Sequence, residues 1–176
     1  MLSGWMDVGL TERGVKELEA LRRSAVHPGT DLYFSSPLKR CTDTFHILFP
    51  DKTPIISDSF KEINFRSLEG YILPTKKDID DYFSAWIRDE VQKDEETMTE
   101  VMERGSRAIL ETVRECMGNG LSSATVVMHS GIMRSSIVSL FSLDRRCFLE
   151  MSVPNGLGYI LAFHDGRPSS FRPICP

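Results

Sequence analysis

Three side chains in this sequence, Arg40, Glu62 and His129, are of the types that hold and transfer phosphoryl groups. Arg40 lies one turn beyond Ser36-Pro37, where serine followed by proline reads as a helix start, and a guanidinium there can reach a phosphate bidentately. From that junction alone, an exposed surface arginine fits equally. His129 ends the β-branched run Ala124-Thr-Val-Val-Met and precedes Gly131, where the backbone can approach a ligand closely. An imidazole so placed can donate to a phosphoryl oxygen, although a structural core histidine is the plainer alternative. Ser130 and Gly131 open the following helix, so their N–H groups join Arg40 and His129 as a candidate phosphate-binding set. Glu62, in Lys61-Glu-Ile-Asn-Phe, is a carboxylate that can protonate a leaving alkoxide if its loop comes near them. Asp7, Thr11 and Glu69 are more ordinary, with capping and turn roles the first expectation.

These residues must be positioned by their elements. Thr11 can cap a helix carrying Val15, Leu18 and Leu21, which stops at His27-Pro28-Gly29. Asp31 to Ser35 predicts a strand that feeds, with Ser36 as N-cap, a helix ending at Pro50. Pro54 to Asp58 is a short strand candidate, and residues 59–76 read as a loop. Ile79, Phe83, Trp86 and Ile87 predict a helix from Asp78 to Lys93 with an acidic outer face, and a longer helix follows from Thr97 to Met117. Ala124 to His129 reads as a buried strand turning into a helix with Ile132, Ile137 and Val138. Gly158–Phe163, a turn at 164–168 and Ser170–Cys175 read as strand, turn and strand. Strands alternating with helices imply one α/β domain over 1–176, a doubly wound, mostly parallel sheet with a C-terminal antiparallel hairpin. Both candidate junctions lie at strand carboxyl ends, where such sheets bind ligands.

Composition narrows the classes. The 176 residues are 41% hydrophobic and 26% charged, which suits one soluble globular domain. A net charge of -4 with scattered basic residues argues against a nucleic-acid surface. No apolar run spans a bilayer and no signal peptide opens the chain, so the expected compartment is the cytoplasm. Cys41, Cys116, Cys147 and Cys175 are too widely spaced for a zinc set, and Cys41 reads as a packed free thiol.

Taken together the runs resemble the histidine phosphatase (phosphoglycerate mutase-like) family. Gly4-Trp5-Met6-Asp7 with Leu10-Thr11 and Gly14 is similar to its Gly-Trp-x-Asp-x-x-Leu-Thr-x-x-Gly segment, with Gly9 where proline is frequent. Ser35-Ser-Pro-Leu-Lys-Arg40 with Thr44 is similar to Ser-Ser-Pro-Leu-x-Arg-Ala-x-x-Thr, departing at Cys41. Glu62-Ile-Asn-Phe with Leu68-Glu69-Gly70, then Val126-Val-Met-His129-Ser-Gly131-Ile-Met-Arg134, then Asn155-Gly156 follow in family order. The resemblance implies helices on both faces of the sheet, Arg40 and His129 on the phosphoryl group, Glu62 as proton donor, no metal or other cofactor, and a small phosphate ester as partner. Residues 71–100 would supply a lid.

Family members open with a strand leading into Arg-His-Gly, whose histidine is phosphorylated. No Arg-His-Gly occurs here, and Gly4 follows only three residues. The expectation is an N-terminally incomplete domain whose first strand, central and beside the His129 strand, and whose nucleophile belong to about 20 upstream residues. His164, in a turn, could not replace that nucleophile. Lys61-Glu-Ile-Asn-Phe-Arg66 stands where the mutases carry Asn-Glu-Arg-His-Tyr-Gly, so hydrolysis is expected before mutase chemistry. The rival is a noncatalytic phosphate-binding protein; a nucleotide-binding domain is disfavoured, because neither Gly-x-Gly-x-x-Gly nor Gly-x-x-x-x-Gly-Lys is present. Sugar phosphates, nucleotides and a cobalamin-pathway ester all remain open as substrates.

Overall fold

The computed structural model describes residues 1–24 and 26–175. In chain order the elements are α1 (Glu12–Ser24), β1 (Leu32–Ser35), α2 (Lys39–Leu48), β2 (Ile55–Ile56), α3 (Lys76–Trp86), α4 (Met98–Gly118), β3 (Ala124–Val127), α5 (Ser130–Leu140), α6 (Cys147–Glu150), β4 (Tyr159–His164) and β5 (Arg167–Pro173). Two short 3-10 turns, Asp58–Phe60 and Arg66–Leu68, lie in the long connection from β2 to α3.

Three strands form a parallel sheet in the order β2-β1-β3. Successive side chains of β1 point to opposite faces, and each finds a helix. Tyr33 packs on Phe45 and Phe49 of the α2 region at ring distances of 5.8 and 5.2 Å, while Phe34 joins Phe60 with Ala108 and Ile109 of α4. Helices therefore cover both faces, as an α/β arrangement requires. The hairpin β4–β5 turns through Asp165-Gly166, both at positive φ, and among the described residues it pairs only with itself. Leu161 and Phe163 pack it against the Phe34 cluster.

The larger core gathers away from the sheet, where Ile63, Phe65, Trp86, Met98, Ile132 and Phe148 are buried between the connection and helices α3 to α6. Helices α4 and α5 approach so closely that a Cβ on Gly105 would stand 2.1 Å from Ser136 Oγ. That contact fixes α5, and with it His129, relative to α4.

Several boundaries differ from the sequence reading for identifiable reasons. Helix α3 stops at Trp86, not Lys93, since Asp89 adopts a φ of +60°. It starts earlier, at Lys76, on a reciprocal cap between Thr75 and Asp78. Helix α2 begins at Lys39, so Ser36 and Pro37 are neither its cap nor its first residue. Strand β3 is only half-buried along its length, because it pairs with β1 on one edge and with no other described strand on the opposite one.

Candidate active site

The two strand-to-helix junctions converge. Arg40, in the first turn of α2, donates from Nε to Nδ1 of His129 at 3.0 Å. Arginine carries donors only, so Nδ1 is the accepting nitrogen and the ring proton resides on Nε2. Nε2 lies 2.9 Å from Ser36 Oγ and 3.4 Å from Cys41 Sγ. Burial, reinforced by the positive charges of Arg40 and Arg104, pulls the imidazole down to about 3, so it is neutral at ordinary pH. Burial likewise pushes the Cys41 thiol up to about 12, which makes it a packed thiol and not a nucleophile.

The other guanidinium nitrogens of Arg40 hold the N-terminal segment, Nη1 donating to Met6 O at 2.9 Å and Nη2 to Gly4 O at 2.6 Å. Glu69 grips the same segment, accepting from the N–H groups of Gly4, Trp5 and Met6 as well as Phe65. Gly4 must be glycine, since a Cβ there would fall 1.9 Å from Ile63 O.

Glu62 reaches the start of α5. One carboxylate oxygen accepts from Gly131 N–H at 3.0 Å and the other from Ile132 N–H at 2.8 Å. The residue is held there by its main chain. Arg104 of α4 donates to the carbonyls of Ser59, Lys61 and Glu62, and pairs through Nε and Nη2 with the buried Glu96. Glu96 also accepts from Asn64 N–H, and Trp5 Nε1 donates to Glu62 O. Asp7 supplies the equivalent service to α2, accepting from Lys39 N–H at 2.6 Å.

Arg40, Glu62, His129, Ser130 and Gly131 are thus brought into one region. Gly131 N–H is satisfied by Glu62. The remaining histidines are engaged elsewhere: His27 Nε2 with Gly156 O, His46 on α2 against the Phe45 ring, and His164 exposed in the hairpin beside Asp165. Sequence reasoning missed Ser36 as the partner of His129, and it missed Arg104 with Glu96 altogether. Nothing in the sequence marks a mid-helix arginine eight residues after a glutamate as the clamp of a loop 42 to 45 positions away.

A neutral imidazole whose Nε2–H is held by Ser36, a guanidinium and a carboxylate at a helix start are suited to holding an anion and moving a proton. No group of three or more metal-ligating side chains occurs among the described residues. No helix among the described residues is long and apolar enough to cross a membrane.

Comparison with solved structures finds the same fold repeatedly. A phosphoserine phosphatase mutant from Entamoeba histolytica in complex with phosphoserine superposes with a TM-score of 0.74 at 20% identity, over 97% of this chain and 87% of that one. YhfR of Bacillus stearothermophilus gives 0.79 at 17% identity, over 96% and 85%. A putative alpha-ribazole-5'-P phosphatase of Escherichia coli gives 0.75 at 20% identity, over 99% and 87%. Comparison with curated proteins by sequence yields no match. The profile of the histidine phosphatase superfamily (branch 1) matches residues 1–172, which is nearly the whole chain, and with the strand order and the joined junctions already described the chain belongs to that superfamily.

Proposed function

We propose that these residues form the phosphate-holding and proton-donating side of a phosphomonoester hydrolase that works through a phosphohistidine, the nucleophilic imidazole not being among the 176 residues. The observation that carries this reading is the 3.0 Å link between Arg40 and His129, with Glu62 bonded to the two residues that follow Ser130. In the first step the bond from phosphorus to the ester oxygen breaks as phosphorus bonds to the nucleophile's nitrogen. Arg40 and the Nε2–H of His129 stabilise the equatorial oxygens, and Glu62 gives its proton to the departing alkoxide. In the second, water displaces the imidazole, Glu62 takes the water's proton, and inorganic phosphate leaves.

A second reading, a noncatalytic phosphate-binding protein, is favoured by one observation. Of the four histidines only His129 stands at the junction, and it is already bonded on both ring nitrogens. One experiment separates the two. The protein is titrated with inorganic phosphate by calorimetry, then assayed with an aryl phosphate and examined for an acid-labile phosphoryl label on histidine. Turnover with label in a chain extended ahead of Met1 by a strand ending in Arg-His-Gly supports the hydrolase, and the same result in the 176-residue chain would show the nucleophile to be misplaced. Phosphate binding without turnover in either chain supports the second reading, and absence of binding ends both.

A further inference from the structure

The turn that carries Glu62 aims three carbonyl oxygens, those of Ser59, Lys61 and Glu62, at a single guanidinium. Oxygens gathered in this way carry like partial charges, and out of water they need donors to hold them together. Arg104 meets that need in full. Its Nη1 donates to Ser59 O at 3.1 Å and to Lys61 O at 2.7 Å. Its Nη2 donates to Glu62 O at 3.1 Å and to Glu96 Oε2 at 2.7 Å, and Nε donates to Glu96 Oε1 at 2.8 Å. All five N–H groups are therefore bonded. Resting on the reading of Glu62 as proton donor, we infer that Arg104 is a positioning residue for the reaction. It sets where the Glu62 carboxylate stands, and Glu96 fixes the plane of the guanidinium that does so.

Glu62 is stretched between two fixed points. Its main-chain oxygen is held from α4, and its carboxylate ends on the N–H groups of Gly131 and Ile132 at the start of α5. Arg104 directly precedes Gly105, where α4 meets Ser136 of α5, so the guanidinium is in register with the helix that the carboxylate must reach. Arg145 offers a comparison. It too is partly buried and pairs with a carboxylate, Asp89, at 2.7 Å, but its other bonds go to Ile87 O and Thr99 Oγ1, and none leads to Glu62. A rival holder of the Glu62 carbonyl is Trp5, whose Nε1 donates to it at 2.8 Å. A lysine at 104 would keep the charge but bring three donors without the planar fork, and so could not fill five bonds.

Amide hydrogen exchange, followed residue by residue by NMR in the 176-residue chain, reads the position of Glu62 without requiring turnover. Arg104→Lys should speed exchange at Gly131 and Ile132 about ten-fold, leaving Lys39, which Asp7 caps, unchanged. Glu96→Gln should act in the same direction and serves if the lysine variant does not fold. Arg145→Lys should leave both amides as they are. In the chain bearing the added Arg-His-Gly strand, Arg104→Lys should slow alkyl phosphates about 10²-fold and an activated aryl phosphate about two-fold, since a displaced acid matters only to a basic leaving group. Unchanged exchange at Gly131 and Ile132 in both variants overturns the inference and leaves Trp5 as the holder, and so does acceleration equalled by Arg145→Lys. Equal losses for both ester classes, where Glu62→Gln separates them, overturn it as well. If Glu62→Gln does not separate them, or the extended chain is inactive, the reading of Glu62 as acid fails. The exchange rates then still decide whether Arg104 positions its carboxylate.

Discussion

The two strand-to-helix junctions face the same local problem and solve it with unequal strength. Neither α2 nor α5 has a side-chain cap from its own N-cap residue, Leu38 in one case and His129 in the other. Each borrows a carboxylate from a distant loop. Asp7 gives α2 one exposed bond to Lys39 N–H, whereas Glu62 gives α5 two, in a half-buried setting backed by Arg104 and Glu96. A helix N-terminus is an anion site in the sense chemistry predicts. The lesson of the pair is that the protein's own carboxylates occupy both sites, so recognition of an external phosphate passes to the side chains that join them, Arg40 and His129.

The largest test of that contrast is catalytic. In a chain bearing the added Arg-His-Gly strand, Arg40→Ala and His129→Ala should each lower aryl phosphate turnover about 10²–10³-fold. Asp7→Ala, at the same junction as Arg40 but off the phosphoryl group, should change kcat little; a comparable loss there would erase the distinction between cap and ligand. The 176-residue chain itself is expected to stay at the blank rate.

Next in size is leaving-group dependence. Glu62→Gln should slow alkyl phosphates far more than activated aryl phosphates, because only a basic alkoxide needs a proton. Equal losses for both would reduce Glu62 to a helix anchor like Asp7. Glu69, committed to four main-chain N–H groups, would be the carboxylate to examine next.

Stability should follow the count of bonds. Glu62→Ala should cost about 2 kcal/mol and Asp7→Ala about 1 kcal/mol in urea unfolding at neutral pH, each leaving helical N–H groups unpaired. Reversal of that order would mean that the buried clamp of Arg104 holds α5 without the carboxylate.

The last test is a pH dependence. His129 titrates at about 3 in the folded chain against 6.5 when unperturbed, so protonation favours the unfolded state. The stability it contributes is complete above pH 6.5 and is lost as pH falls from there toward 3, with a slope of up to about 1.4 kcal/mol per pH unit. His129→Gln should flatten the profile between pH 6.5 and 4. The lowered carboxylates Asp31, Asp89 and Asp144 lose their contribution only further down that scale.

Some of this was legible from residues alone. Periodicity marked α1, α4 and the hairpin, and the cap Thr11 is where its type and spacing put it, because capping and turn chemistry act over three or four residues. The ordered motifs identified the superfamily, and type alone singled out Arg40, Glu62 and His129. What no local pattern could decide was which groups would meet. The N-cap role read for Ser36 went instead to a bond with His129, 93 positions away, and the start of α2 moved to Lys39 under Asp7. The β-branched run of β3 announced a strand but not its half-exposure, which depends on how many edges find partners. Arg104 and Glu96 carry no signature, since a clamp on carbonyls is defined by where a distant loop passes. Sequence determined the elements and the chemically able residues through short-range sterics and hydrogen bonding. Only the tertiary structure determined the pairing of buried charges and orphan N–H groups, because a group withdrawn from water must be satisfied by whichever partner the packing brings, however far apart the two lie along the chain.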